Sequence, residues 1–397
     1  MGGSTAVSVE ASRSLRILHV VPSYLPAVRY GGPIYSVHHL CVALVQRGHQ
    51  VDVATTSVDG PGDSDVALGL RVELDGVGVH YFPSRWLRRL YYAPLLSAWL
   101  RDRVAAYDVV HLHSVFLWPT LTAARAAHRA GVPYVVSPRG MLVRELIRAR
   151  SRWLKMAWIA LFERRTIRQA AAIHLTAEIE LAALDELGLR GGGLATVIPN
   201  GVEVGVQVKS QTQASDPYVL VLGRISWKKR IERAIEAIAL LPGIRLVVAG
   251  GDDEGLQARL QQIAISHGAA ERVQFVGHVE GRKKRELLQG ARALLMVSLT
   301  ENYGNVVLEA MAVGTPAIVV PQIGAADAVR AASGGWVVDD CIDALRRQLA
   351  RLLDHPDEAM AAGQRAAHWV RSEASWPAIA GRMSALYESL VPVGQAS

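Results

Sequence analysis

Short runs of β-branched and aliphatic residues alternate with longer stretches of helical periodicity along the whole chain, the pattern of βαβ units and parallel sheets. A first block predicts strands at 17–21, 51–55, 109–112, 134–137, 172–175 and 196–199, the last running into the turn pair Asn200-Gly201. A second block repeats the pattern at 218–222, 246–249, 273–276, 294–297 and 317–320, with helical stretches such as 231–241 and 344–353 between or after them. Between the blocks, 208–217 is mostly uncharged, polar and closed by Pro217, as a linker would be. The expected class is α/β: two doubly wound, Rossmann-like domains facing one another across a cleft. The expected divisions are a loose tail at 1–14, a first domain at 15–207, the linker at 208–217, a second domain at 218–378, and a C-terminal helix at 379–397 that crosses back to the first domain. In such sheets ligands sit beyond the carboxyl ends of the strands, so chemistry is sought there.

Length and composition narrow the class. The 397 residues are enough for two or three domains, and with half of them apolar and a fifth charged the chain is expected to fold. Cys41 and Cys341, three hundred positions apart, form neither a disulfide framework nor a metal-ligand spacing, which fits a reducing compartment. Residues 1–14 lack the apolar segment of a signal peptide, and no stretch supplies the roughly 18 apolar residues of a membrane span. The net charge of +7 calls for an anionic partner without naming one. Position says more: 139–168 holds nine basic and two acidic residues, and helical projection of 143–162 puts Val143, Ile147, Leu154, Trp158 and Leu161 on one face with Arg144, Arg148, Arg152 and Lys155 beside it. That suits a helix lying on an anionic bilayer with Trp153 near the headgroups, the alternative being a helix packed on its own domain with a solvated basic edge. The basic-aromatic stretch 85–103, with Trp86 and Trp99, points the same way.

The most informative stretch is 299–316, LTENYGNVVLEAMAVGTP. A helix starting near Asn305 puts Glu301 in the turn before it and Glu309 one turn inside, facing the same cleft, with the N–H groups near Asn305 to Val307 aimed outward as for a phosphate. This block, with Glu309, Ala310, Met311, Gly314 and Pro316, resembles the E-x7-E signature of retaining glycosyltransferases of the GT-B fold, family 4. The resemblance implies that Glu301 and the backbone after it (Tyr303, Gly304, Asn305, Val306) meet the donor sugar, and that Glu309 holds ribose hydroxyls of the nucleotide. Upstream, strand 218–222 runs into Gly223, Arg224 and Lys229, similar to the family's G-R-x-x-x-x-K turn, which implies that Arg224 and Lys229 hold the donor diphosphate. The family continues with Gly where this chain has Arg230. Gly277 resembles the glycine turn that borders the base, and Gly31-Gly32 after the first strand the glycine pair at donor phosphate and acceptor, with Gly32 on the donor side. Glycine there lets backbone approach a ligand.

Acceptor or cleft candidates are Gly31, Tyr24, His113 and Arg139. His111 and His113 share one strand face unless the strand ends between them, and His113 is the better cleft candidate, a satisfied structural histidine being the alternative. Where many family members carry a histidine, this chain reads Ser137-Pro138-Arg139-Gly140-Met141-Leu142, similar to a bacterial subgroup with an SPRGML stretch, so the histidine's role does not carry over. Asp63-Ser64-Asp65 spells a D-x-D, but among Gly60, Pro61 and Gly62 and far from the donor motifs; no metal and no cofactor are expected beyond a nucleoside-diphosphate sugar as substrate. The resemblance thus implies a metal-independent, retaining hexosyltransferase using a GDP- or UDP-sugar and a saccharide acceptor, polyprenyl-diphosphate-linked in the expected bacterial surface or exopolysaccharide setting. It would work from the cytoplasm at the inner membrane face and bind no nucleic acid. A nucleotide-sugar epimerase or hydrolase of the same fold, or a non-catalytic nucleotide-sugar-binding scaffold at a membrane, stands beside it.

Overall fold

The computed structural model describes residues 13–29, 31–142, 152–205, 217–301 and 303–392. Residues 1–12 of the expected tail, 208–216 of the linker, 143–151 of the basic helix and 393–397 of the expected C-terminal helix lie outside the described residues.

Two sheets organise the chain. The first has eight strands, β1 (Arg16–Ser23), β2 (Gln50–Thr56), β3 (Arg71–Leu74), β4 (Val77–Phe82), β5 (Val109–His113), β6 (Tyr134–Ser137), β7 (Ala172–Leu175) and β8 (Leu194–Val197), in the order β8-β7-β6-β5-β1-β2-β4-β3. The second has six, β9 (Tyr218–Leu222), β10 (Arg245–Ala249), β11 (Val273–Gly277), β12 (Ala293–Met296), β13 (Ala317–Val319) and β14 (Gly335–Val337), in the order β11-β10-β9-β12-β13-β14. All neighbours are parallel except β3 with β4. The antiparallel β3–β4 hairpin was not among the predicted strands, because its alternating, half-exposed β3 carries no apolar run. In each sheet the first strand is central and its followers lie on opposite sides, so the strand order reverses at β1 and at β9. Those are the points where doubly wound sheets bind ligands.

The helices that matter for the site are α1 (Gly32–Gln46), α2 (Ile231–Ala239), α3 (Gly281–Gly290), α4 (Asn305–Ala312), α5 (Pro356–Trp369) and α6 (Trp376–Leu390). The period of α2 is plain in Ile231, Ala234, Ile235 and Ile238, all buried against the second sheet. Helix α6 follows the second domain in sequence but packs on the first: Ile379, Ala380, Met383 and Tyr387 share a core with Leu40, Leu44 and Val53. Polar ties run the same way, from Ser384 Oγ to His49 Nε2 at 2.7 Å and from Tyr387 Oη to His111 Nδ1 at 2.7 Å.

The described part of the basic segment is a helix at Arg152–Trp158, a π-helical turn at Ile159–Glu163 and a helix at Arg164–Arg168. The π turn shifts the register, so the single face expected for Trp158 and Leu161 is split. Leu161 is 70 % exposed, whereas Trp158 is turned inward and donates to Glu163 Oε1 at 3.0 Å. No helix among the described residues is long and apolar enough to cross a membrane.

Candidate active site

The turn after β9 carries the first cations. Gly223 has φ +131°, a conformation that favours glycine, and a Cβ on Gly250, just past the end of β10, would lie 2.0 Å from the Gly223 carbonyl oxygen, so the two strand ends touch because residue 250 is glycine. The chain then turns through 227–229 and places Arg230 at φ +50°, a left-handed conformation that suits the glycine usual there. Arg230 is held by Asp340, whose carboxylate it meets with both guanidinium nitrogens. That contact offsets the backbone cost and lets the departure from glycine stand.

Lys229 points inward. Its ammonium forms an ion pair with Glu301, both side chains mostly buried, and Met296 Sδ lies 3.9 Å away. The two loops are also tied through backbone, Leu299 N donating to Lys228 O at 2.7 Å. Glu301 is fixed by a parallel bridge to Ile323, and Tyr303 O accepts from Ala325 N at 2.8 Å. Arg224 behaves differently: it is swung outward, 74 % exposed, with Asp253 at 3.8 Å as its charged neighbour. One of the two expected diphosphate cations is therefore poised and the other is free to move.

Helix α4 begins at Gly304, φ +88°, with no side-chain cap and no acid in its first turn, and helix α1 begins the same way at Gly31, φ +67°. The two N-termini meet across the interdomain cleft. A Cβ on Gly32 would lie 3.4 Å from Asn305 Nδ2, which donates to Ser36 Oγ at 3.0 Å. Two helix N-termini without side-chain caps or first-turn acids, meeting at one cleft, bring their partial positive charge together, an arrangement that suits a phosphate. Val306 is half-buried in that first turn, and Gly277, φ +71°, ends β11, where Gly250 N donates to its carbonyl. Glu309, one turn into α4, is paired with Lys284 of α3 at 2.6 Å.

Other expected site residues lie deeper than the sequence reading placed them. Tyr24 is buried, with its hydroxyl 2.9 Å from His38 Nδ1, and the Tyr303 side chain is buried in the second core, so both rings pack inward. His113 is buried too, because β5 continues through it and puts it on the same face as His111, ring centroids 4.1 Å apart. It belongs to an interior stack of His19, His111, His113 and His174. Arg139, at φ +53°, lies on the stack and donates to His113 Nδ1 from Nε at 3.3 Å and Nη2 at 3.1 Å. His113 must then carry its proton on Nε2 and give it to His19 Nδ1 at 2.9 Å. Burial and the Arg139 charge push His19 and His174 down to about 3 and hold His111 and His113 well below the ordinary imidazole value.

His19, His111 and His113 stand close enough to share an ion. Five of their six ring nitrogens are engaged with one another, with His174, Tyr387 and a guanidinium, while His19 Nε2 is buried without a hydrogen-bond partner among the described residues; the group contains no carboxylate, and burial holds the rings neutral. Asp63 of the D-x-D is occupied by Arg88 at 3.1 Å and Ser57 Oγ at 2.9 Å.

The residues the sequence reading missed are Asn200, Ser36 and Lys284. Arg139 Nη1 donates to Asn200 Oδ1 at 2.8 Å, Asn200 Nδ2 to Asn305 Oδ1 at 2.8 Å, and Asn305 passes the chain to Ser36, which bonds the Gly32 carbonyl at 2.9 Å. One line of hydrogen bonds thus joins the SPRG loop, the Asn-Gly turn, α4 and the glycine loop of α1. The Asn-Gly pair was visible as a turn, but nothing local marked its side chain as a bridge.

Two family models match the chain: "Glycosyl transferase 4-like domain" over residues 31–201 and "Glycosyl transferases group 1" over 206–369. Together they span both domains and every cleft residue just described. The chain is a GT-B glycosyltransferase of family 4. This glycosyltransferase is 29 % identical to a glycogen synthase of Mycobacterium tuberculosis, over 94 % of each chain. It is 28 % identical to a D-inositol 3-phosphate glycosyltransferase of Actinosynnema mirum, over 80 % of this chain and 83 % of that one. Among solved structures, sucrose-phosphate synthase of Thermosynechococcus elongatus superposes with a TM-score of 0.72 at 22 % identity, covering 95 % of this chain and 99 % of that one. HepE of Anabaena, solved in complex with UDP-glucose, gives 0.71 at 19 % identity, covering 94 % and 100 %.

Proposed function

We propose that this glycosyltransferase moves a hexose, with retention and without a metal ion, from a GDP- or UDP-sugar to a saccharide acceptor held mainly by the first domain. The observation that carries the donor half is the meeting of the N-termini of α1 and α4, neither with a side-chain cap, with Glu301 and its partner Lys229 in the turn four residues before α4. A diphosphate leaving group gains charge as the glycosidic bond breaks, and fixed N–H groups with Lys229 stabilise it without reorganising. Arg224, exposed beside Asp253, closes on the diphosphate as the second cation. Glu301, released from Lys229 once the phosphate competes for the ammonium, orients the donor sugar for front-face departure. Glu309 takes ribose hydroxyls, and Arg139, buried on the histidine stack, fixes Asn200 and through it the floor of the cleft rather than meeting the acceptor itself.

The acceptor is a polyprenyl-diphosphate-linked saccharide of bacterial surface polysaccharide synthesis, met at the cytoplasmic face of the membrane. The SPRGML stretch supports this, as do Trp86, Leu87, Trp153 and Leu161, all at least 66 % exposed, the first two between the exposed Arg85 and Arg89. The test is transfer of label from UDP-glucose or GDP-mannose into an organic-soluble lipid-linked fraction, without added metal. The expected result is transfer that Lys229→Ala abolishes; nucleotide-sugar breakdown that proceeds equally without acceptor supports the hydrolase reading instead.

A further inference from the structure

We propose that Arg139 is a positioning residue for the donor site: its guanidinium sets the direction of the hydrogen-bond line that crosses the cleft, so that the line spends its oxygens on itself and leaves N–H groups for an anion. This rests on the donor-site reading above and adds to it the device that suits the site to a phosphate. Arg139 is buried, and a guanidinium carries five N–H groups and no acceptor. Its plane directs Nε and Nη2 to His113 Nδ1 and Nη1 to Asn200 Oδ1. A group that can only donate thereby fixes which end of the Asn200 amide faces it.

Each link passes that choice on. With Oδ1 turned to Arg139, Asn200 presents Nδ2 to Asn305 and can only donate there. Asn305 must then accept on Oδ1, which turns its own Nδ2 to Ser36 Oγ, and the Ser36 hydroxyl gives its proton to the Gly32 carbonyl. The oxygens of Asn200, Asn305, Ser36 and Gly32 are thus each taken by the N–H or O–H before them in the line. An amide nitrogen has two N–H groups, and among the described residues the second of Asn305, in the first turn of α4, is not taken. Asn305 Nδ2 stands 3.4 Å from where a Cβ on Gly32 would be, so a line run the other way would put a carbonyl oxygen against the glycine loop. Phosphate oxygens are themselves acceptors, and an acceptor facing them there would stand unpaired.

The experiment is calorimetric titration of UDP and of GDP into wild type, Ser36→Ala, Asn200→Asp and the double variant, with the melting midpoint of each. A carboxylate at 200 still accepts from Arg139 but has nothing to donate, so Asn305 must turn its amide over to meet it. Asn200→Asp is therefore expected to keep or raise the melting midpoint, through its ion pair with the guanidinium, while nucleotide affinity falls about tenfold, by the same factor at low and at high ionic strength. Because Ser36 lies further along the same line, the double variant is expected to bind no more weakly than Asn200→Asp. Unchanged affinity in Asn200→Asp overturns the proposal. So do losses that add in the double variant, or a loss that salt abolishes, as plain repulsion between a carboxylate and the diphosphate gives. A fall in the melting midpoint means that the guanidinium does not face residue 200 and overturns it equally. Failure of wild type to bind either nucleotide overturns the donor-site reading itself, and this one with it.

Discussion

Lys229 and Arg230, adjacent in sequence, do opposite work. Lys229 is turned into the site against Glu301, so Lys229→Ala removes a charge-stabilising group without touching the core: turnover should fall about 100-fold or more at unchanged thermal midpoint, measured by donor consumption and by calorimetric melting. Arg230 supports the turn. With φ +50° and its bidentate contact to Asp340, Arg230→Ala loses both the ion pair and the accommodation of strain, whereas Arg230→Gly loses only the pair. Urea denaturation should therefore find the glycine variant more stable than the alanine variant by about 1 kcal/mol; equal stabilities would show that the left-handed turn carries no cost here. Residue-scale chemistry of this kind was legible in the sequence where it is local. Glu301, Glu309, Gly223 and Lys229 sit in short motifs, and even the misfit at Arg230 was visible as a missing glycine. Lys284 was not legible, because a run of four cations on a helix does not say which of them turns inward.

Among elements, the carboxyl ends of β1, β5, β6 and β7 explain why Tyr24 and His113 went deeper than expected. A parallel strand buried on both faces hides every side chain until it ends, and β5 runs through His113. The resulting stack of four histidines sets a pH dependence. In the folded protein His19, His111, His113 and His174 stay neutral well below the ordinary value near 6.5 that they regain on unfolding. Below about pH 6.5 the unfolded chain therefore binds protons the folded one does not, and stability falls as pH falls, by about 1.4 kcal/mol per pH unit for each such group. The urea midpoint should be nearly level from pH 8 to 7 and drop steeply from 6 to 5. A flat profile to pH 5 would mean that the imidazoles accept protons in place. The meeting of α1 and α4 makes a second prediction at this scale. Ser36→Ala cuts the last link from Asn305 to the glycine loop, and should weaken nucleoside-diphosphate binding several-fold in a calorimetric titration while leaving the fold intact, since among the described residues Ser36 bonds only Asn305 and the Gly32 carbonyl.

For the whole molecule, two sheets face each other and are strapped by α6, which leaves the second domain and packs into the core of the first. The doubly wound character of both halves was readable from alternating strand and helix periods, and the return of the C-terminal helix to the first domain was expected, but the side-chain ties across the cleft were not readable. Asn200 and Asn305 are 105 positions apart and Ser36 and Asn305 are 269 apart, and no local pattern reports such pairs. The surface poses a separate question. If Trp86 and Trp153 enter the headgroup region, the Trp86→Ala, Trp153→Ala double variant should lose most binding to anionic vesicles in flotation at unchanged nucleotide affinity; retained flotation would assign those side chains to another role.

The central claim is a metal-independent nucleoside-diphosphate site between α1, α4 and the turn after β9. Titration of GDP and of UDP into the purified protein, with and without magnesium, tests it most directly. The account predicts tight binding of one nucleotide, unchanged by magnesium and lost in Lys229→Ala. Binding of neither, or binding that appears only with magnesium, would contradict it.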